Sequence, residues 1–257
     1  MLTSATRTPQ PPPHGPLDLD VKGAVARLTL CDPDSHNSLT DTVLATLAHT
    51  LEGLRAQPEI RVLVLEHAGE WFCSGMDLRH TDTSTGADTF FNILQFLSST
   101  ELITIAALDG RVTGGGVGLA AACDVVIASN RARFSLPEAL WGLLPALIYP
   151  TLRRRMGPAT TRELALTTRE IDAHTAATNG LVDIVADPFP AVVSRTVARC
   201  SCVTREATSR IKDYAARFEN APAAATKEAA ISALAQATAA PGVQSGIDRW
   251  AHTGRMP

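Results

Sequence analysis

Short apolar segments alternate with helical patterns through the first two thirds of the chain, and this alternation limits the possible folds more than any other feature. Residues 61–66 (RVLVLE), 102–108 and 124–128 (DVVIA) are brief apolar runs typical of buried strands. Between them, residues 87–97 and 117–123 carry apolar side chains at helical spacing. Strands that alternate with helices predict βαβ units, and therefore an α/β fold with a largely parallel sheet.

Two more patterns precede this alternation. Residues 17–30 alternate apolar and polar side chains around Gly23, which predicts a strand, a turn and a second strand. Residues 39–54 then carry apolar side chains at helical spacing, and Thr40 or Asp41 can cap the start of that helix.

The character of the sequence changes along the chain and predicts three regions. Residues 1–16 are rich in proline, serine and threonine and lack the apolar segment of a signal peptide, so we expect a disordered tail. Residues 17–190 form the predicted α/β core. Residues 191–257 form a predicted helical C-terminal region, with helical patterns over 190–218 and 221–239.

Composition argues against several classes of function. A net charge of −3 and a pI near 6.2 argue against nucleic acid or an anionic membrane as the main partner. No apolar run approaches the ~18 residues that a membrane helix needs. Five cysteines, an odd number, are expected to be free thiols in a reducing environment, so we expect a cytoplasmic protein. The five cysteines lack zinc-site spacing, which predicts free buried thiols and no metal. The cluster Arg153–Arg155 predicts a solvent-exposed helical turn.

Three consecutive glycines, Gly114–Gly116, lie between a strand pattern and a helix pattern. They let the backbone approach a ligand closely and leave free N–H groups at a helix start. The Lys-Ser/Thr pair of a P-loop and the G-x-G-x-x-G of a dinucleotide fold are both absent, so phosphate binding is not indicated. A tight packing turn is the alternative.

A candidate acid–base group lies in the segment FSLPEALWGLLP. Glu138 is surrounded in sequence by apolar residues, and burial among them would raise the pKa of its carboxyl. A carboxyl with a raised pKa suits proton transfer near neutral pH. A glutamate that only begins a helix after a proline is the alternative.

These segments together resemble the crotonase superfamily, also called the enoyl-CoA hydratase/isomerase family. The similar segments, in the family's order, are LTLCDPDSHNSLT, FCSGMDL, ALDGRVTGGGVGLAAACDVVIAS, FSLPEALWGLLP and residues 173–183. The resemblance implies a crotonase (ClpP-like) spiral of ββα units with a helical C-terminal region. It also implies a homotrimer or a dimer of trimers.

The resemblance further implies an oxyanion hole made of two backbone N–H groups, those of Met76 and Gly115. Such donors stabilise the enolate that forms when a thioester loses its α-proton, and each is worth on the order of 3 kcal/mol. Gly114 and Gly118 flank this turn as expected substrate-binding residues. Glu138 matches a catalytic glutamate of the family.

Gly118 departs from the family pattern, because hydratases carry a second glutamate at this position. The usual two-glutamate hydration is therefore not available. Glu138 alone can take the α-proton and return it to a leaving hydroxyl. Asp77, His80 and Asp82 are candidates for a second proton-transfer group, and the sequence does not select among them.

The carrier of the acyl group is indicated by the loop DPDSH, residues 32–36. Many CoA-using members have lysine or arginine here, whereas Asp32 and Asp34 would repel the phosphates of CoA. The phosphopantetheine of an acyl carrier protein lacks the nucleotide and avoids this repulsion. We expect no cofactor besides that carrier or CoA.

Several segments, including FCSGMD, LLPA and the C-terminal GIDRWAHTGRMP, resemble the polyketide β-branching dehydratases. These hydro-lyases convert 3-hydroxy-3-methylglutaryl on an acyl carrier protein to 3-methylglutaconyl. The free carboxylate of that substrate needs a cation, and Arg79 and His80 are the candidates. The alternatives are a CoA-linked enoyl hydratase, isomerase or decarboxylase, and a non-catalytic crotonase-fold binding subunit.

Overall fold

The computed structural model describes residues 15–77 and 85–218. The strands in these ranges are β1 (Leu17–Lys22), β2 (Val25–Leu30), β3 (Val62–His67), β4 (Trp71–Cys73), β5 (Ile103–Leu108), β6 (Arg111–Thr113), β7 (Val125–Ser129), β8 (Arg133–Ser135), β9 (Ile171–Asp172) and β10 (Ile184–Ala186). The helices are α1 (Asp41–Arg55), α2 (Thr85–Ser99), α3 (Gly115–Ala122), α4 (Tyr149–Met156), α5 (Pro158–Thr167), α6 (Ala173–Thr178), α7 (Phe189–Cys200) and α8 (Arg205–Ala216).

A six-stranded sheet with the order β1-β2-β3-β5-β7-β10 forms the centre of the molecule. The β1–β2 hairpin is antiparallel and the remaining pairs are parallel, which confirms the predicted parallel sheet. Both faces of this sheet are covered. Leu63 and Leu65 of β3 pack in one apolar cluster, and Val62 and Val64 pack in the other. This two-sided burial explains why β3 is apolar at every one of these positions instead of alternating.

A second, four-stranded sheet has the order β4-β6-β8-β9. Each of β4, β6 and β8 follows a strand of the large sheet within a few residues, and α2 or α3 follows the first two of them. The result is a repeated ββα unit, which agrees with the predicted crotonase fold. Because β4, β6 and β8 contain three residues each, they show no periodicity from which the sequence could predict them.

The C-terminal pattern over 190–218 contains two helices, with a break at residues 201–204 between α7 and α8. Val193 and Val197 of α7 pack in the second apolar cluster of the large sheet. One compact unit ends at Arg205, and another begins at Glu206. The predicted tail over 1–16 lies almost entirely outside the described residues, as does the pattern over 221–239, so the three-region division stays a prediction.

Two expectations about single residues are wrong in part. Arg155 is not solvated, since its side chain is 14% exposed and pairs with Asp183, whereas Arg153 and Arg154 are exposed as predicted. All five thiols are free, but only three are buried; Cys200 is half-buried and Cys202 is exposed. None of the helices in the described ranges combines the length and the apolar character needed to cross a membrane.

Candidate active site

Two glycine-containing turns lie directly against each other at one end of the small sheet. A Cβ atom on Gly75 would lie 3.1 Å from the backbone nitrogen of Gly115, and one on Gly116 would lie 2.6 Å from the carbonyl oxygen of Cys73. Thr113 Oγ1 ties the turns together by donating to the carbonyl of Ser74 at 2.9 Å. Only glycine allows this close approach of two backbones.

The turn at Met76 leaves one amide without a partner. Leu39 N donates to Gly75 O at 2.8 Å and Asp77 N donates to Leu39 O at 3.2 Å, while Gly75 N donates to the sulfur of Cys73 at 3.3 Å. The amides on both sides of Met76 are therefore used. Within the described ranges, Met76 N donates no hydrogen bond.

The start of α3 leaves a second free amide. Gly114 N donates to Ser135 O at 3.1 Å, and Gly114 O accepts from Val117 N at 2.9 Å and from Gly118 N at 3.3 Å. Gly115 is the first residue of the helix, so its N–H has no intrahelical acceptor, and the described chain supplies no other. Gly114 has φ 51° and ψ −120°, a backbone conformation that favours glycine.

Glu138 begins a short 3₁₀ helix, Glu138–Trp141, which ends at Gly142 in the left-handed region. Its Oε1 lies 3.2 Å from where a Cβ on Gly114 would be. Its Oε2 is buried and has no hydrogen-bond partner among the described residues. Burial raises the pKa of the Glu138 carboxyl above its ordinary value, as the sequence analysis expected. This carboxyl is suited to hold and release a proton near neutral pH.

The residues that carry the free amides and the carboxyl line one apolar pocket with a volume of about 240 Å³. It is lined by Ser74, Gly75, Met76, Ala87, Phe90, Gly114, Gly115, Pro137, Glu138, Trp141, Leu143, Leu144, Pro145, Ala146, Leu147 and Ile148. Glu138 is the one ionisable side chain in this described lining. The structure thus brings together four of the predicted site residues: Met76, Gly114, Gly115 and Glu138.

The structure does not bring Gly118 to the pocket surface. A Cβ atom at this position would overlap Cγ2 of Ile148 and would lie 2.8 Å from Cβ of Ile148 and 3.7 Å from Cζ of Phe90. Ile148 and Phe90 therefore fill the space into which a side chain at position 118 would project. No local sequence pattern marks Ile148, and Phe90 is marked only by the helical spacing over 87–97, which places it on an apolar face.

The other predicted residues lie elsewhere. Arg79, His80 and Asp82 are outside the described residues. Asp77 follows Met76 and is half-buried, but it does not line the pocket. No group of three potential metal ligands occurs in residues 15–77 and 85–218.

The loop at residues 32–36 is held by Asn37, which is 2% exposed. Its Oδ1 accepts from Asp32 N at 2.7 Å, and its Nδ2 donates to the carbonyls of Ala68 and Trp71 at 3.1 and 2.6 Å. His36 stacks on the Trp71 ring with a centroid distance of 4.9 Å. The shape of the loop is thus fixed by buried hydrogen bonds, and the loop contains no lysine or arginine.

Comparison with known proteins identifies relatives along nearly the whole chain. The family model described as enoyl-CoA hydratase/isomerase matches residues 20–255. The chain is 27% identical over 244 residues to the Bacillaene synthase dehydratase PksH of Bacillus subtilis, covering 92% of this chain and 93% of that protein. It is 36% identical over 181 residues to the (E)-benzylidenesuccinyl-CoA hydratase of Thauera aromatica, covering 67% and 70%.

Solved structures agree with this assignment. Pseudomonas aeruginosa AtuE superposes with a TM-score of 0.84 at 29% identity, over 95% of this chain and 98% of that one. An enoyl-CoA hydratase/isomerase from Marinobacter aquaeolei superposes with a TM-score of 0.82 at 26% identity, over 94% and 98%. These relatives support a hydro-lyase of the hydratase or dehydratase type rather than a non-catalytic binding subunit. The chain belongs to the enoyl-CoA hydratase/isomerase family, the crotonase superfamily.

Proposed function

We propose that this protein removes water from a 3-hydroxyacyl thioester, with Met76 N and Gly115 N as the oxyanion hole and Glu138 as the acid–base group. The observation that carries the proposal is the position of Glu138, a single buried carboxyl in an apolar pocket that also presents two free amides. Amide donors that are already oriented stabilise an oxyanion without further reorganisation.

The proposed reaction needs one carboxylate and no cofactor. Glu138 takes the α-proton, and the electron pair of the C–H bond moves to the thioester oxygen, which Met76 N–H and Gly115 N–H then hold as an enolate. When the carbonyl reforms, the pair becomes the new double bond between the α- and β-carbons. The β-hydroxyl leaves with the proton from Glu138 as water, so the carboxylate is regenerated.

We propose that the acyl group is 3-hydroxy-3-methylglutaryl on the phosphopantetheine of an acyl carrier protein, and that the product is 3-methylglutaconyl. The likeness to the bacillaene synthase dehydratase over almost the full length of both chains supports this substrate. The loop with Asp32 and Asp34, which contains no lysine or arginine, supports a carrier without a nucleotide. We propose that Arg79 and His80, which follow the turn at Met76 in sequence, bind the free carboxylate of this substrate.

The test is the intact mass of a carrier protein loaded with 3-hydroxy-3-methylglutaryl, measured with and without the enzyme. We expect a mass decrease of one water, and a rate about 10²–10⁴-fold lower with Glu138→Gln, which keeps the shape of the side chain. Turnover that persists in Glu138→Gln would reject the assigned acid–base group. A mass decrease of one carbon dioxide would identify a decarboxylase instead.

A CoA-linked hydratase is the second candidate, and the 36% identity to a benzylidenesuccinyl-CoA hydratase favours it. The same acyl group presented on CoA and on the carrier protein separates the two proposals through kcat/KM. A higher kcat/KM on CoA would select the second candidate. An Arg79→Gln variant should lower kcat/KM for the glutaryl substrate but not for 3-hydroxy-3-methylbutyryl, which lacks the free carboxylate.

A further inference from the structure

We infer that Ile148 is a specificity-determining residue: it fills the space of a side chain at position 118, restricts proton transfer to Glu138, and selects acyl groups with an alkyl branch at carbon 3. The inference rests on the proposed dehydration and extends it to the choice of substrate. It comes from the contact between Gly118 and Ile148, which lie thirty residues apart in sequence.

The contact between positions 118 and 148 involves atoms that cannot easily move away. A Cβ at position 118 would overlap the Cγ2 methyl of Ile148 and would lie 2.8 Å from its Cβ, which is bonded directly to the backbone. That backbone is fixed, because Ile148 O accepts from Leu152 N at 2.9 Å and the next residue, Tyr149, donates from its nitrogen to Pro145 O at 2.9 Å. Ile148 itself is 2% exposed.

Phe90 of α2 lies against the same space from another side, and we call Ile148 and Phe90 together the apolar wall of the pocket. It is 1% exposed, and its Cζ would lie 3.7 Å from a Cβ on Gly118 and 3.4 Å from a Cβ on Gly115. The wall therefore ends beside one of the two free amides. Ile148 and Phe90 thus both lie against the space into which a side chain at position 118 would project.

The chemistry of this wall limits the substrate. An apolar wall offers no hydrogen-bond partner to a water molecule or to a second ionised group. The acyl atoms that lie against Ile148 and Phe90 are therefore apolar, as an alkyl branch on carbon 3 is. We therefore assign both the removal and the return of the proton to Glu138, the one carboxyl in the described lining.

A double-mutant cycle of Gly118→Ala and Ile148→Ala tests whether Ile148 fills the space of a side chain at position 118. It is followed by thermal unfolding and needs no assumption about function. We expect Gly118→Ala to lower Tm by on the order of 5 °C in the wild-type background and by clearly less when Ile148 is alanine. Should Ile148→Ala not fold, Ile148→Leu removes Cγ2 at equal volume and serves in its place. Additive Tm changes would overturn the inference.

The specificity claim is tested by the ratio of kcat/KM for 3-hydroxy-3-methylacyl and unbranched 3-hydroxyacyl thioesters. We expect Ile148→Ala to lower this ratio about 10-fold or more. The variant Ile93→Ala removes the same side-chain atoms from a buried site outside the pocket lining, so it should lower Tm and leave the ratio unchanged. A ratio unaffected by Ile148→Ala would overturn the inference while leaving the dehydration intact.

A gain of activity provides the last test. The double variant Gly118→Glu/Ile148→Ala provides both a second carboxyl and the room for it, so we expect it to hydrate an unbranched 2-enoyl thioester at least 10-fold faster than either single variant. Hydration no faster than in Ile148→Ala would contradict the proposed use of this space. Absence of dehydration by the wild-type protein would reject the proposed function, and the Tm cycle would still decide the packing claim.

Discussion

The carboxyl of Glu138 lies in surroundings that disfavour its charged form, and the charge therefore lowers the stability of the folded state. Its Oε2 is buried without a partner, and burial raises the pKa of the carboxyl. The folded protein therefore binds this proton more tightly than the unfolded chain does. Stability falls as the pH rises through the ordinary glutamate pKa toward the raised folded-state pKa, and the cost is complete above both values.

This sign leads to a prediction for Glu138→Gln, which removes the charge but keeps the shape. At pH 8 we expect Tm to rise by roughly 2–4 °C. Below about pH 4 the wild-type carboxyl is protonated in both states, so the difference between the two proteins should shrink toward zero. Thermal unfolding of both proteins at several pH values measures it. A difference in Tm that did not depend on pH would show that the carboxylate charge is not its source.

At the scale of elements, the site depends on how α3 begins. Gly114 has a positive φ, and a Cβ there would also lie 3.2 Å from Oε1 of Glu138. A side chain at this position would act twice, by straining the backbone that orients Gly115 N and by pushing the carboxyl away. The first effect costs stability and misaligns the proposed donor Gly115 N, and the second displaces the proposed acid–base group, so both lower activity.

We therefore predict that Gly114→Ala lowers kcat at least 10-fold in addition to destabilising the fold by about 1–3 kcal/mol. Gly23 provides the matched control, since its φ is also positive, at 58°, but a Cβ there would have no atom within 4 Å. Gly23→Ala should show a comparable loss of stability with unchanged kcat. Steady-state kinetics and urea unfolding of the two variants separate the general cost of a positive φ from the effects on Gly115 N and Glu138. Equal kcat values in both would refute the second effect.

A single side chain joins three elements behind the site. Arg155 of α4 donates from Nη1 to Cys123 O at 2.9 Å, just after α3, and from Nε to Leu181 O at 3.0 Å, and it pairs with Asp183. Asp183 Oδ2 in turn accepts from Val126 N of β7 at 2.7 Å. These bonds hold the end of α3 and the start of β10 in register.

Loss of the Arg155 side chain removes a donor from two carbonyls and leaves Asp183 with its bond from Val126 N but without its cation. We expect Arg155→Met to destabilise the protein by about 2–4 kcal/mol. Arg153 lies at an exposed position two residues earlier in the same helix, and Arg153→Met should change stability by less than about 0.5 kcal/mol. Urea unfolding measures both values. If both variants lost a similar free energy of unfolding, the bonds of Arg155 would contribute no more than a solvent-exposed arginine does.

The longer strands could be predicted from the sequence, whereas the three-residue strands, which depend on pairing between distant segments, could not. Residues 61–66 and 124–128 are long enough to show an apolar run, and both became strands of the large sheet. The three-residue strands β4 and β6 are defined by pairing with each other, which no local pattern records. For the same reason Glu138 could be found from its apolar sequence neighbours, whereas Ile148 could not be found, because Gly118 is its neighbour only in the folded chain.

On the scale of the whole molecule, the described chain leaves large apolar side chains in solvent beside the pocket. Leu140, Trp141 and Leu144 are 69%, 69% and 72% exposed. The resemblance to the family implies subunits that assemble in threes, and burial of such side chains favours association. The number of subunits can be measured directly from the mass of the assembly in solution.

We predict a homotrimer or a dimer of trimers, so that sedimentation equilibrium should give three or six times the chain mass of 27.2 kDa. A dimer of trimers should dissociate on dilution through the trimer rather than through dimers. Particles of 27.2 kDa at every concentration, with full activity, would contradict this prediction. The same samples should be assayed during the dilution, so that any loss of activity can be compared with the loss of mass.

The pairing of two turns through glycine has a consequence for how such a protein can change over time. In the proposed oxyanion hole, Met76 and Gly115 act through their main-chain N–H groups, which every amino acid except proline possesses. A scan that replaces the Met76 side chain should therefore find the position permissive, while the glycines that bring the turns together should tolerate almost nothing. The proposed oxyanion hole thus depends on backbone conformation and not on the side chains of its two donors. Substitutions in the pocket lining can therefore change which acyl group binds while both donors stay in place.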